Sequence, residues 1–436
     1  MSKPVAKINR QRGLRYLIAI ATLLGLVLVY TRFVSQTRTS DPGDFVSKGY
    51  ISAAVQTEDG YQAVLIDPSG KVIKSPGYVE GAVDQPPVWS PDGQRVYFIS
   101  DRDNGESHVF RWNPVSNAVE RRTIDKRTKS YLDFSVPGGT PSKTALVISG
   151  GTIVELEPLG GTSKQLLPPQ TLDATGRGES GATGQFEQLY ASLGQSFKVA
   201  RWSKDKQYIV AIMRREIEVE FEGRRILLSG EVLICQDISS LPNLDITDPK
   251  SRPILVAAGE RIEFDIDPVS GDVAFTQQGF QWPDPRQIPP EFIENGKTKN
   301  PFRHMIGIYT PGEPAAKPPV AVAMDDKFSF GHPRLSPDGQ LVMVSVGPYR
   351  GSGIMDNKNL VVMPFKTGGG SEGVMTLLNT PSVEAEWSPD GKQVTYIAEG
   401  TTRRTLFVLD SQPDAQPKNI TGESGNYRGP AFSPQQ

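Results

Sequence analysis

The chain has 436 residues, 37% hydrophobic and 22% charged, which is too apolar for a disordered chain and long enough for a sizeable core. Its 43 glycines and 36 prolines make turns frequent and argue against a helical bundle. A single cysteine, Cys235, excludes an internal disulfide and any multi-cysteine metal site, and three histidines make a His-rich site unlikely to form.

The formal charge of −2 hides an asymmetry. Lys3, Lys7, Arg10, Arg12, Arg15, Arg32 and Arg38 all precede the first acid, Asp41; from there on, 40 basic residues face 49 acidic ones. An acidic globular part lacks the basic face of a phosphate-backbone binder, so no nucleic-acid partner is expected.

Residues 1–13 read as a basic cytoplasmic tail. Tyr16–Thr31 (YLIAIATLLGLVLVYT) carries no charge, and with its flanks the segment 14–34 is long enough for a transmembrane anchor helix. Arg15 and Arg32 are placed to snorkel, and Tyr16 and Tyr30 to sit at the interfaces. The cationic prefix keeps the amino terminus inside, so the remainder is expected outside the cytoplasm of a single-pass inner-membrane protein. A cleaved signal peptide is the competing reading, but TRFVSQTRTSDPG after Tyr30 offers no small-residue cleavage site. Residues 35–48 read as a linker, and 49–436 as one repeat domain.

That domain repeats a turn motif: VWSPDGQRVYFIS at Val88–Ser100, RLSPDGQLVMVSV at Arg334–Val346 and EWSPDGKQVTYIA at Glu386–Ala398. Degenerate copies lie at Leu132–Ser149, Arg201–Met213 and Ile262–Thr276, and a truncated one, AFSPQQ, at Ala431–Gln436. Ser-Pro-Asp-Gly suits a type I turn, since Pro presets φ, Asp bonds its own backbone and Gly completes the corner. A short strand precedes each turn and an apolar strand follows it. Two further strand-like runs come next, such as His108–Trp112 and Ala118–Thr123, or Thr152–Glu157 and Ser163–Leu167. Four short antiparallel strands per repeat is the pattern of a β-propeller blade.

The first-strand anchors are Trp89, Phe134, Trp202, Phe264, Leu335, Trp387 and Phe432. The seventh stands at the chain's end, and its missing strands are found at Tyr50–Thr57, Tyr61–Asp67 and Lys71–Lys74. The expectation is an all-β, seven-bladed propeller closed by joining 430–436 to 50–78, preceded by one transmembrane helix. A six-bladed ring stays open if one degenerate copy is not a blade.

The WSPDG…(V/I)xFxS unit, with SDRD at Ser100–Asp103, resembles the repeat of the TolB-like propellers of bacterial envelopes. The resemblance implies a propeller outside the cytoplasm that makes protein–protein contacts on its faces. It covers residues 45–436 and lacks the separate α/β domain that precedes the propeller in TolB-type proteins.

Signs of catalysis are weak. Gly369-Gly370-Ser371-Glu372-Gly373 matches G-x-S-x-G but lies in a glycine-rich turn, with no His beyond His332. Asp101–Glu106 lacks the spacing of a calcium loop and reads as a hairpin turn. His108, His304 and His332 fall on different repeats, and Cys235 reads as a packed small residue. No catalytic residue, cofactor or metal is expected.

Three insertions are the candidates for binding. Pro168–Lys198 is either a mobile loop or a segment ordered by a partner, with FEQLYASL suited to two helical turns. Arg215–Cys235 reads as a long hairpin with Ile217, Val219 and Phe221 alternating with glutamates: an inner blade hairpin whose acids face solvent, a projecting arm that docks a neighbour, or an acidic metal site. Gln281–Arg303 is proline-rich with Trp282, Phe292 and Phe302, suited to a cap or to a partner-binding loop.

The sequence therefore points to a non-catalytic interaction or scaffold module, an accessory subunit of an envelope or bioenergetic membrane complex. Its expected partners are the bilayer, through residues 14–34, and one or more envelope or integral-membrane proteins. A receptor for a peptide or glycan in the propeller funnel is the alternative. A hydrolase or lyase is the remaining one.

Overall fold

The computed structural model describes residues 47–434 except 136–141, 158–162, 170–181, 205, 222–223, 240–247, 249–250, 279–292, 295–296, 299–303, 314–319, 326, 349–358, 367–373, 379–380, 401–402, 413 and 423–424. The expected tail, anchor and linker up to residue 46 lie outside the described residues. Among the described residues, no helix is long and apolar enough to cross a membrane.

Seven four-stranded antiparallel sheets make up the propeller, six with their strands in sequence order from the axis outward and the seventh with the chain's last strand innermost. The chain begins with β1 (Ile51–Gln56), β2 (Tyr61–Ile66) and β3 (Val72–Lys74). Blade 1 follows as β4 (Val88–Trp89), β5 (Val96–Asp103), β6 (Glu106–Asn113) and β7 (Ala118–Arg121). Blade 2 is β8 (Lys129–Asp133), β9 (Ala145–Ser149), β10 (Thr152–Leu156) and β11 (Ser163–Leu167). After helix α1 (Ala182–Leu193), blade 3 is β12 (Ser196–Ser203), β13 (Tyr208–Phe221), β14 (Arg224–Asp237) and β15 (Ile254–Gly259). Blade 4 is β16 (Arg261–Ile266) and β17 (Val273–Gln278) and, after a small hairpin of β18 (Ile293–Glu294) and β19 (Lys297–Thr298), β20 (His304–Tyr309) and β21 (Val320–Asp325). Blade 5 is β22 (Phe328–Leu335), β23 (Leu341–Pro348), β24 (Asn359–Pro364) and β25 (Met375–Leu378). Blade 6 is β26 (Ser382–Trp387), β27 (Gln393–Glu399), β28 (Arg404–Asp410) and β29 (Lys418–Asn419).

The last strand, β30 (Tyr427–Phe432), completes blade 7 by pairing with β1, Ile51 opposite Phe432 and Val55 opposite Tyr427. The ring thus closes as the sequence predicts, and the six-bladed alternative is set aside. Closure pairs an edge that would otherwise template aggregation.

The repeated turn has one internal chemistry. In blade 1 the Ser90 hydroxyl donates to Asp92, the Arg95 N–H donates back to Ser90 Oγ (2.9 Å), and the Gly93 N–H donates to the Ser90 carbonyl (2.8 Å). Ser336-Pro337-Asp338-Gly339 and Ser388-Pro389-Asp390-Gly391 repeat these bonds. The turn ends left-handed, with φ of +68° at Gly93, +67° at Gly339 and +70° at Gly391, which is why glycine occupies that corner.

The core sits between blades. Clusters of buried side chains fill the junctions 1–2 (Tyr97, Val109, Phe134), 2–3 (Ile148, Trp202), 3–4 (Leu233, Phe264), 4–5 (Ile306, Val344), 5–6 (Met343, Trp387) and 6–7 (Ile397, Ile66). At the seventh junction, between blades 7 and 1, lies a buried ion pair, Arg102 to Asp84 at 2.5 Å. Arg102 belongs to the SDRD stretch.

Two insertions differ from expectation. The 168–198 segment contains a three-turn helix rather than a loop throughout, and α1 is held by its own propeller: Tyr190 joins the junction 2–3 cluster, and its hydroxyl bonds Gln236 Oε1 at 2.9 Å. The 215–235 segment belongs to a long hairpin, and of this segment only Glu231–Cys235 lies inside the blade. β12 pairs with β13 only up to Arg214, and β15 pairs with β14 only from Glu231. Beyond those points, Arg215–Phe221 and Arg224–Gly230 pair with each other alone, forming a ribbon about 23 Å long at 3.3 Å per residue. The outer part of the hairpin therefore extends past the pairing of its blade.

Strand direction gives the two faces of the ring. The Ser-Pro-Asp-Gly turns join first to second strands on one face; second-to-third connections and blade-to-blade crossings emerge on the other. The β13–β14 ribbon, the β17–β20 connection and the crossing that contains α1 all leave from that second face.

Candidate functional site

The inner strands leave a cavity of about 770 Å³ on the axis, open at the Ser-Pro-Asp-Gly face. Its rim carries five prolines of the repeated turns, Pro91, Pro268, Pro337, Pro389 and Pro434. Rigid turn residues at five of the seven corners lower the conformational entropy lost on ordering the rim. The chain also enters at this face: the Ser433 N–H donates to the Tyr50 carbonyl (2.9 Å), beside Phe432 and Pro434 on the cavity wall.

The lining follows from the blade register. The residue before each anchor is Val88, Asp133, Arg201, Glu263, Arg334, Glu386 and Ala431 in blades 1 to 7, and all but Glu263 line the cavity. In blade 4 the lining acid is Asp265, one residue past the anchor, where other blades carry serine. Blades 7 and 1 supply an apolar arc that includes Trp89, Phe432, Pro87 and Pro430.

The charged groups are held by one another. Arg201 pairs with Asp265 and donates to the Tyr131 hydroxyl at 3.1 Å; Arg334 donates to Glu386 at 2.7 Å. The second Asp265 oxygen accepts the Leu335 N–H (2.8 Å), so this acid also ties blade 4 to blade 5. Other carboxylates stitch neighbouring blades in the same way: Glu231 takes the Ile262 N–H, Glu263 that of His332 and Glu384 that of Gly429. Several inner strands bulge there, with His332 at φ +49°, Glu384 at +53° and Gly429 at +56°.

Burial pushes the Asp133 carboxyl above the usual range, outweighing Arg201. Glu386 is raised for the same reason despite Arg334. At Glu263, burial opposes ionisation, but His332 and Arg261 outweigh it and hold the pKa at about 2. These groups form a fixed polar lining, with most oxygens committed to guanidinium or backbone N–H donors.

The residues singled out in the sequence lie elsewhere. Ile217, Val219 and Phe221 stand in the outer part of β13, opposite Leu228, Ile226 and Arg224, on the face remote from the cavity mouth. Trp282, Phe292 and Phe302 lie outside the described residues, as does Ser371. Asp101–Glu106 is a hairpin turn through Asn104 and Gly105, both left-handed, and its acids are engaged: Asp101 accepts the Val83 N–H (2.7 Å), and Asp103 pairs with Arg121. Cys235 is buried, and its thiol is pushed up to about 12 by that burial. His108, His304 and His332 fall in blades 1, 4 and 5, and no group of three metal-ligating side chains occurs among the described residues.

No family model matches the chain, and no curated protein is similar to it in sequence. Among solved structures it is similar to TolB from Acinetobacter baumannii, with 14% identity, 92% of this chain and 70% of that one covered, and a TM-score of 0.45. An oligogalacturonate lyase in complex with manganese is similar at 10% identity, covering 87% and 85%, with a TM-score of 0.48. The β-propeller domain of the Trilobed protease from Pyrococcus furiosus is similar at 10%, covering 87% and 96%, with a TM-score of 0.48. One of these is named for a lyase and one for a protease, and the likenesses assign no role to this chain.

Proposed function

We propose that this chain is a non-catalytic binding module, tethered to the inner membrane by residues 14–34, whose propeller takes a segment of a protein partner at the channel mouth. The observation that carries this reading is the cavity itself. Its volume lies in the range of ligand-sized sites, and aromatic walls and a few fixed charges converge on it. The prolines around the rim present a rigid surface that loses little entropy when a partner docks. Tethering raises the effective concentration of the mouth for a partner in the same membrane.

A free oligosaccharide is the second reading, favoured by Trp89 and Trp387 on the cavity wall, because indoles stack on sugars as well as on peptides.

The test is photo-cross-linking in native membranes, with benzoylphenylalanine placed at Pro337 on the rim or at Ile124, which is 83% exposed on the other face. A discrete protein adduct from position 337 and none from 124 is the expected result. Adducts from 124 alone would overturn the assignment of the mouth, and no protein adduct from either would favour the sugar.

A further inference from the structure

We infer that the channel mouth selects a cationic group, an ammonium or guanidinium on the incoming segment, seated between Asp133 and Glu386 over the apolar arc of blades 7 and 1. This rests on the mouth being the binding site and adds the chemistry of what enters it.

Around the cavity, the charged side chains run Asp133, Arg201, Asp265, Arg334, Glu386 through blades 2 to 6. The row begins and ends on a carboxylate, so it holds one more carboxylate than guanidinium. Arg201 is taken by Asp265 and Arg334 by Glu386. Among the described residues, Asp133 accepts hydrogen bonds from the N–H and hydroxyl of its near neighbour Ser135, and Arg201 acts on it through space without a direct ion pair, although the residue is just 6% exposed. Beyond the cavity, Glu263 is matched by Arg261 at 2.6 Å, which leaves the excess unchanged. A buried carboxylate with no cation in direct contact is costly, and its raised pKa shows that the pull of Arg201 does not offset its burial.

The gap in the row is chemically specific. Between Glu386 and Asp133 the wall carries no charged side chain and is largely apolar, with Ala431, Phe432, Val88 and Trp89 beside the uncharged Gln85 and Ser90. A lysine or arginine side chain fits such a place, with methylenes on the apolar arc and the charged head at a carboxylate. An indole nearby adds a cation–π contribution. An acidic or purely apolar segment would leave Asp133 with no compensation beyond the pull of Arg201.

The experiment uses the full-length chain and dye-labelled hexapeptide pools, each fixing one central residue, with binding read by fluorescence anisotropy. Pools centred on Lys or Arg are expected to bind at least tenfold tighter than those centred on Gln or Glu. Asp133→Asn keeps an acceptor for Ser135 and should reduce that preference to within threefold, with an unchanged melting temperature as the folding control. Val88→Lys, which puts a cation on the arc, should abolish it independently. Equal binding of basic and neutral pools would overturn the cationic selectivity while leaving the mouth as the site. A basic preference that survives both variants would place the cation elsewhere and overturn the proposal, and binding of no pool would remove the mouth reading together with it.

Discussion

Arg102 is the best place to test how blade 7 is held to blade 1. Its side chain is 5% exposed and donates to Asp84 (2.5 Å), the Pro76 carbonyl (2.8 Å), Ser75 Oγ (3.1 Å) and Ser100 Oγ (3.3 Å). Its guanidinium lies 4.7 Å from the Phe98 ring centroid. Asp84, 0% exposed, also accepts the Ala63 N–H at 2.8 Å. The cluster therefore ties the end of blade 7 and the crossing to blade 1 onto β5. Replacing both members of such a pair by apolar groups is often neutral, but removing one strands the other charge, at about 3–5 kcal/mol. Arg102→Met keeps most of the volume over Phe98 and loses all four donors, so it should cost that much. In a fold whose total stability is on the order of 5–15 kcal/mol, the urea midpoint should fall visibly. Asp84→Asn alone should also destabilise. The double variant should be less damaging than the sum, with a coupling energy of about 2 kcal/mol in the double-mutant cycle. A loss below about 1 kcal/mol for Arg102→Met, or strict additivity, would refute the view that this pair secures the closing junction.

Other consequences can be checked in the same unfolding assay. Gly429 has φ +56°, and a Cβ there would sit 2.2 Å from Pro86 Cβ, so Gly429→Ala should cost about 2–4 kcal/mol from left-handed strain plus overpacking. Gly77, at φ +65° with nothing within 4 Å, isolates the first contribution, and Gly77→Ala should cost only about 1–2 kcal/mol. Replacing Arg215–Gly230 by Asn-Gly should leave the unfolding free energy within about 0.5 kcal/mol, because no blade strand pairs with the ribbon; a larger loss would mean that the ribbon packs on the propeller. Cys235 should resist iodoacetamide at pH 8 in the folded protein and react once it is unfolded. Because its folded pKa of about 12 lies above that of a free thiol, the unfolded state releases its proton first, and this contribution to stability should decline as the pH rises from about 9 towards 12. Titration of a Cys235→Ala variant isolates that slope.

The ring was legible because its signals are local. Ser-Pro-Asp-Gly carries its own hydrogen bonds within six residues, so each intact copy marks a first-to-second strand turn wherever it occurs. The split blade followed from counting anchors against strands, and β1, β2 and β3 begin and end within a residue or so of the expected runs. Helix α1 was underestimated because its apolar period is short, and its support comes from Gln236, 46 residues away at the far end of β14. The cavity lining was not singled out, although one signal was available: in five of seven copies the residue before the anchor is charged. What the pattern alone withholds is direction. Alternation separates two sides of a strand, but only closure decides which side faces the axis and which the next blade.

The asymmetry of the channel is itself a product of closure. Blades 1 to 6 are each one continuous stretch of chain, and the inner strands of blades 2 to 6 carry charged side chains, those of blades 3 to 6 paired across neighbouring blades. Blade 7 is assembled from both ends of the domain, and its inner strand passes so close to Pro86 that residue 429 must lack a side chain. Trp89 of blade 1 donates its indole N–H to the Ala431 carbonyl across the same seam (3.3 Å), just as Trp387 does to Arg334 between blades 5 and 6 (3.1 Å). With the backbones drawn together and prolines at 86, 87 and 430, the seam offers few polar partners to a buried charge, and small or apolar residues occupy its axial positions. The two carboxylates that end the charged row thus stand at the borders of the seam. On this argument, the feature that closes the ring also creates the gap in which a cationic group would be held.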